Sequence, residues 1–268
     1  MTTLIYEKSQ GVATITFNRP EARNALTPEM LCRLADAIID YAADDSLRVA
    51  IITGAGDRAF CAGGDLAATL PLLTGARGPA DEWDRRLLSD PTTSAASSLR
   101  GYPLHKPVIA AINGACLAAG SELMLGTDIR VASDHATFGF PEVTRALLPF
   151  AGSMARLPRQ VSYCQAMELL LVGAAIGAAE ALRIGLVNHV VPQAQVLELA
   201  QALARKIAAN GPVAVRQIKR TVVESSGVSL DQAFGLEDDA KRVVMATEDA
   251  REGPRAFMEK RPASYAGR

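Results

Sequence analysis

The sequence predicts an α/β protein with a helical C-terminal region, and three observations carry that prediction. Short apolar runs at 48–53 (RVAIIT), 107–112 (PVIAAI) and 128–132 stand between stretches of helical periodicity, the pattern of strands alternating with helices. Two alternating runs, 3–8 and 11–18, are linked by Ser9, Gln10 and Gly11 and read as a hairpin. From residue 160 onward the pattern is almost entirely helical, at 163–172, 178–184, 194–209, 212–224 and 230–247, with one strand at 186–191. The layout expected is an α/β core over 1–191 followed by a helical region over 192–268.

Taken in order, the first helix is announced by Thr27-Pro28-Glu29, an N-cap, a proline at the first helical position and an early acid. Met30, Leu31, Leu34, Ile38 and Tyr41 then recur at helical spacing. The strand at 48–53 runs into Gly54-Ala55-Gly56-Asp57-Arg58-Ala59, formally a dinucleotide-binding GxGxxA. That motif requires a helix to open at its second glycine. Phe60-Cys61-Ala62-Gly63-Gly64-Asp65 breaks any apolar helical face, so a tight turn is the better reading. Residues 70–104, rich in Gly, Pro, Ser and Thr, read as a long surface excursion with two short helices.

Composition narrows the function. The 268 residues carry a formal charge of −1 with scattered basic residues, so no electrostatic footprint for nucleic acid is present. Cys32, Cys61, Cys116 and Cys164 form no CxxC and read as buried thiols of a reducing compartment. With three histidines, none near a cysteine, a zinc site is not expected. The N-terminus has no basic and apolar leader, and no apolar run approaches a membrane span. A cytoplasmic protein with no membrane association is expected.

Two glycine- and alanine-rich segments each follow an apolar strand. In 113–123 (NGACLAAGSEL), small residues allow close approach to the backbone, and a helix starting near Ala119 would present free amides. Close packing of helix on sheet demands the same composition. The second segment, 59–66 (AFCAGGDL), reads on its own as a glycine turn. Two carboxylates follow. Glu122 opens an apolar helical run, and Glu142 follows Pro141 among aromatics, where desolvation should raise its pKa toward neutrality. Either acid alone is equally well a helix-start residue.

Together these segments resemble a known family. FCAGGDL is similar to the F-x-A-G-A-D-[IL] loop of the crotonases, the enoyl-CoA hydratase/isomerase family. KPVIAAINGACLAAGSEL resembles their K-P-V-I-A-A-[IV]-N-G-x-A-x-G-G-G-x-E-L segment, and FGFPEV their F-G-x-P-E motif. FNRPEARNALT, EALRIGLVNHVV and FMEKRPASYAGR match as well, so the likeness runs through nearly the whole chain.

The resemblance implies a spiral of ββα units with a C-terminal helical trimerisation region, assembling as homotrimers or homohexamers. It implies an acyl-CoA thioester substrate, a role such as fatty acid metabolism, and no metal or separate cofactor, coenzyme A entering with the substrate. Carried over residue by residue, the backbone amides of Gly64 and Ala119 form an oxyanion hole. Glu122 activates water and Glu142 exchanges the proton at Cα. Ala62, Asp65 and Leu66 belong to the loop lining the adenine, and Ala22 and Arg23 lie near the pantetheine and phosphate. The expected reaction is addition of water to a 2-enoyl-CoA or its reversal. The alternatives are an enoyl-CoA isomerase, which needs one carboxylate, and a CoA-binding scaffold without turnover. Departures fall at the acyl end. ALLPFAGS at 146–153 replaces the G-x-x-P-G-A-G-G run of the hydratases, and Phe140 replaces a glutamine. Phe140 and Phe150 are expected to intrude on the acyl pocket.

Overall fold

A computed structural model describes residues 2–268. The chain begins with strands β1 (Leu4–Ser9) and β2 (Val12–Phe17), paired antiparallel in the register Leu4 with Phe17. Gln10 and Gly11 turn between them with φ of 50° and 77°, the left-handed pair that a two-residue hairpin requires. Helix α1 (Pro28–Ala43) follows, and the Thr27 hydroxyl accepts from the Met30 amide as its N-cap.

Three ββα-like units come next. The first contains β3 (Val49–Gly54), β4 (Ala59–Cys61) and α2 (Thr69–Leu73), then α3 (Glu82–Ser89) and α4 (Pro91–Ser98). The second contains β5 (Val108–Ile112), β6 (Ala115–Leu117) and α5 (Ala119–Met124). The third contains β7 (Ile129–Ser133), β8 (Thr137–Gly139) and a 3-10 turn at Pro141–Arg145. Each unit sends its longer strand into one sheet and its shorter strand into another. With β9 (Ile176–Gly177) and β10 (His189–Val191), the sheets run β1-β2-β3-β5-β7-β10 and β4-β6-β8-β9.

The central parallel strands β3 and β5 are almost entirely apolar because both faces of the sheet are covered. Ala50, Ile52, Ala110, Ile112 and Ala132 join a core shared with Leu34, Ile38 and Tyr41 of α1. Val49, Ile51, Ile109, Ala111 and Val131 pack on Val196, Ala200 and Ala204 of α9 (Gln193–Ala208). Tyr41 ties α1 to the sheet by donating to the Pro107 carbonyl at 2.7 Å. Between β8 and β10 lie α6 (Ser153–Gln160), α7 (Tyr163–Val172) and α8 (Ala178–Arg183). The chain ends in α10 (Pro212–Glu224), α11 (Leu230–Met245) and α12 (Asp249–Met258). None of these helices is long and apolar enough to cross a membrane.

Several expectations need correction. The 70–104 segment is no surface loop: it holds three helices, and Thr93, Ala96 and Ser97 of α4 are buried, with α4 packed on α1. Two of them, α3 and α4, begin at Asp81 and Asp90, whose carboxylates cap the amides of Asp84 and Thr92. Cys32, Cys61 and Cys116 are buried as expected, whereas Cys164 is exposed on α7. The strand expected at 186–191 is confined to His189–Val191, and β9 falls between the helices expected at 163–172 and 178–184, where no strand was expected.

Candidate active site

The two small-residue segments meet because β4 pairs with β6 in parallel, aligning Ala59 with Ala115 and Cys61 with Cys116. The approach is backbone to backbone. A Cβ on Gly114 would lie 2.5 Å from the Arg58 carbonyl oxygen, and one on Gly120 would lie 2.5 Å from that of Cys61. No side chain fits at either position, which is why glycine stands there. Gly63 has φ +104°, and a Cβ on it would come within 2.6 Å of the Ala118 Cβ.

This contact orients the amides. Leu26 donates to the Gly63 carbonyl at 2.8 Å and accepts from the Asp65 amide at 2.9 Å, a parallel bridge. Extended backbone alternates its bonding groups from side to side, so the amide between those two, that of Gly64, points away from Leu26. A Cβ on Gly64 would meet nothing within 4 Å, so the space beside it is open. Ala119 opens α5 after Ala118, whose φ of 51° and ψ of −127° are a glycine-like conformation held by an alanine. Gly64 and Ala119 both line a cavity of about 530 Å³.

Glu122 and Glu142 line the same cavity. Glu122 is 3% exposed, and its Oε1 takes three donors: the Ala151 amide at 2.7 Å, the Ser153 hydroxyl at 2.8 Å and the Ser153 amide at 3.3 Å. Burial raises its pKa, and the bonds from Ser153 and Ala151 oppose that rise. Glu142 sits on the 3-10 turn after Pro141, and its Oε2 is buried with no hydrogen-bond partner among the described residues. Burial first, then the neighbouring Glu122 charge, pushes its pKa up to about 7 against the opposing effect of its own amide and Arg145. One carboxylate is held and the other is free.

Of the other residues expected at the site, Ala62, Leu66 and Phe150 line the cavity, and Leu66 is largely exposed at it. Asp65 does not line it. Its carboxylate pairs with Arg19 at 2.9 Å and accepts from the Ala67 and Ala68 amides, bracing the loop from behind. Ala22 and Arg23 are also outside the wall, on and after a 3-10 turn at Pro20–Ala22 whose Arg23 carbonyl accepts from the Ala62 amide at 3.1 Å. Phe140 is the clear correction. It is 1% exposed, packed in the main core, and absent from the cavity lining. The large apolar side chains of the lining include Leu70, Leu73 and Leu87 from the helical excursion, with Leu147, Leu148 and Phe150 facing the same space.

Sequence reasoning missed the residues that hold Glu122. Ser153 stands where the hydratase run has a glycine, so a hydroxyl in a run of small residues was the available signal. The Ala151 amide left none, because backbone donors have no letter. Arg100 and Arg145, the charged side chains of the lining besides the two glutamates, were also unremarked.

This architecture, repeated ββα units closing on one cavity with two carboxylates, defines a class of mixed α/β enzymes, and the relatives fix which one. The model of the enoyl-CoA hydratase/isomerase family matches residues 7–268. An enoyl-CoA hydratase of Mycobacterium tuberculosis is 41% identical over 264 residues, covering 98% of this chain and 96% of that protein. The 2,3-dehydroadipyl-CoA hydratase of Escherichia coli is 37% identical over 268 residues, with both chains fully covered. The solved structure of an enoyl-CoA hydratase/isomerase from Mycobacterium abscessus superposes with a TM-score of 0.89 at 43% identity over 100% of both chains. The chain belongs to the enoyl-CoA hydratase/isomerase family, the crotonases.

Proposed function

We propose that the protein adds water to a 2-enoyl-CoA thioester, or removes it from the 3-hydroxyacyl product, without a metal or separate cofactor. The observation that carries this reading is the pairing, in one cavity, of two carboxylates in unlike environments with the bends bearing Gly64 and Ala119. The thioester oxygen is held by the amides of Gly64 and Ala119. As water attacks the β-carbon, Glu122 takes its proton and the electrons move to the thioester oxygen. Two preorganised amides stabilise that enolate by about 3–4 kcal/mol each. Glu142, protonated near neutrality, then delivers a proton to Cα, and proton exchange between the acids through water restores the starting state. Two carboxylates facing one substrate support hydration over isomerisation, which a single proton shuttle accomplishes. Ala62 and Leu66 are assigned to the coenzyme A end, with Asp65, Ala22 and Arg23 bracing that loop.

Residues 192–268 are assigned to a helical region through which copies assemble as a trimer or hexamer. Ile218, Val222, Leu230, Phe234, Met245 and Phe257 expose large apolar surface on α10–α12 and support that assignment. A cytoplasmic setting accords with the buried free thiols. The test is loss of enoyl-thioester absorbance with crotonyl-CoA and longer 2-enoyl-CoAs, with product mass increased by one water. A mass-neutral product from a 3-enoyl-CoA, without hydration, would overturn the assignment in favour of an isomerase.

A further inference from the structure

We propose that Arg100 is a positioning residue for Glu122, acting through the peptide group that joins Phe150 to Ala151. The proposal deepens the hydratase reading, in which Glu122 is the base. The Arg100 Nη1 donates to the Phe150 carbonyl at 2.7 Å. At the other end of the same peptide, the Ala151 amide donates to Glu122 Oε1 at 2.7 Å. A peptide group is planar and conjugated, so a cation on its oxygen and a carboxylate on its N–H polarise one resonance system in the same sense. Each bond strengthens the other, and the charge of Arg100 is felt at Glu122 without contact between them.

The relay is held at both ends. Arg100 follows the left-handed Leu99 that ends α4, and Arg156 of α6 donates to the carbonyls of Ser98 and Leu99, fixing the segment from which Arg100 departs. On the other side, the loop passes beneath the arginine at Gly152, where a Cβ would lie 3.7 Å from Arg100 Cδ and 3.4 Å from Arg156 Nη1. The charged groups around Glu122 are Arg100, Arg156 and Glu142. Both arginines favour its ionised form, and Glu142 disfavours it. Arg100 is exposed and lines the cavity, so an acyl-CoA seated there displaces water from the guanidinium and lowers the local dielectric. The relay is therefore strongest when substrate is bound. All three donors act on Oε1, which leaves Oε2 as the oxygen available to water.

The test uses full-length protein labelled with 13C-glutamate, with the Glu122 carboxyl resonance assigned by its loss in Glu122→Gln and titrated by NMR. In Arg100→Gln the resonance is expected to titrate at higher pH than in wild type, and Arg100→Lys should return it toward the wild-type position. In crotonyl-CoA hydration, kcat of Arg100→Gln should fall about tenfold, the lower end of what loss of a charge-assisted hydrogen bond costs, with KM far less affected. The rising limb of its pH profile should move up with the resonance. Wild-type titration of Glu122 in Arg100→Gln would overturn the proposal. The titration needs no turnover, so a wild-type protein that hydrates no enoyl-CoA would refute the reaction and leave this assignment to the NMR result.

Discussion

Glu122 and Glu142 face one cavity from two very different supports. Glu122 projects from a helix and is gripped by Ala151 and Ser153, so its environment both buries and solvates it. Glu142 hangs on a short 3-10 turn with a buried oxygen that has no hydrogen-bond partner among the described residues. An unsatisfied buried carboxylate oxygen costs stability unless the group is protonated. In the proposed reaction these supports make one acid a ready base and the other a proton reservoir. The division of labour follows from hydrogen-bond supply rather than from residue type.

The largest expected effect comes from abolishing that division. Glu142→Gln should lower kcat for hydration by about 10² to 10⁴, the usual contribution of a placed acid or base, and slow solvent-deuterium exchange at Cα in parallel. Undiminished exchange in this variant would show that Glu142 does not serve Cα. In the wild type, activity should require Glu122 ionised and Glu142 protonated, giving a bell-shaped kcat/KM whose falling limb lies at about pH 7. A profile that stays flat through pH 9 would contradict the assignment.

A smaller effect appears in stability. Glu142 holds its proton up to about pH 7 in the folded protein but ionises near its ordinary 4.5 when unfolded. The folded state therefore binds more protons between those values, and stability falls as pH rises through that window before levelling off. Glu142→Gln removes this cost and should be stabilising by about 1 kcal/mol at pH 8 relative to its effect at pH 4, allowing for partial exposure of the group. Urea midpoints at the two pH values measure it, and equal midpoint differences would refute it. Smallest is Ala118→Gly. It removes the strain of an alanine in a glycine conformation at the start of the Glu122 helix, partly offset by the glycine's greater unfolded-state entropy, and should raise stability by about 0.5 kcal/mol while leaving the pH profile in place. A lower urea midpoint would show that the strain is absent.

The contrast between the glutamates was only half legible in the sequence. A carboxylate after proline among aromatics announced a raised pKa, and the structure agrees for Glu142. The bracing of Glu122 was invisible because two of its three bonds come from backbone. Long elements read well: 163–172 and 212–224 coincide with α7 and α10, since periodicity and proline or glycine boundaries mark them. The strands β4, β6 and β8, three residues each, were too short to register as strands. Phe140 was misplaced for a related reason. Its neighbour Phe138 is also buried, and the pattern around 138–142 does not tell the cavity side from the core side.

The glycine contacts at 114 and 120 have a consequence for how such a protein can diversify. They gauge the separation of the two bends by the thickness of the main chain itself, with no intervening side chain whose exchange could widen or narrow it. In the proposed reaction the grip on the thioester is thereby insulated from the leucines and the phenylalanine assigned to the acyl end. Those side chains can be traded for a different cargo while the handle by which every cargo is held keeps its dimensions.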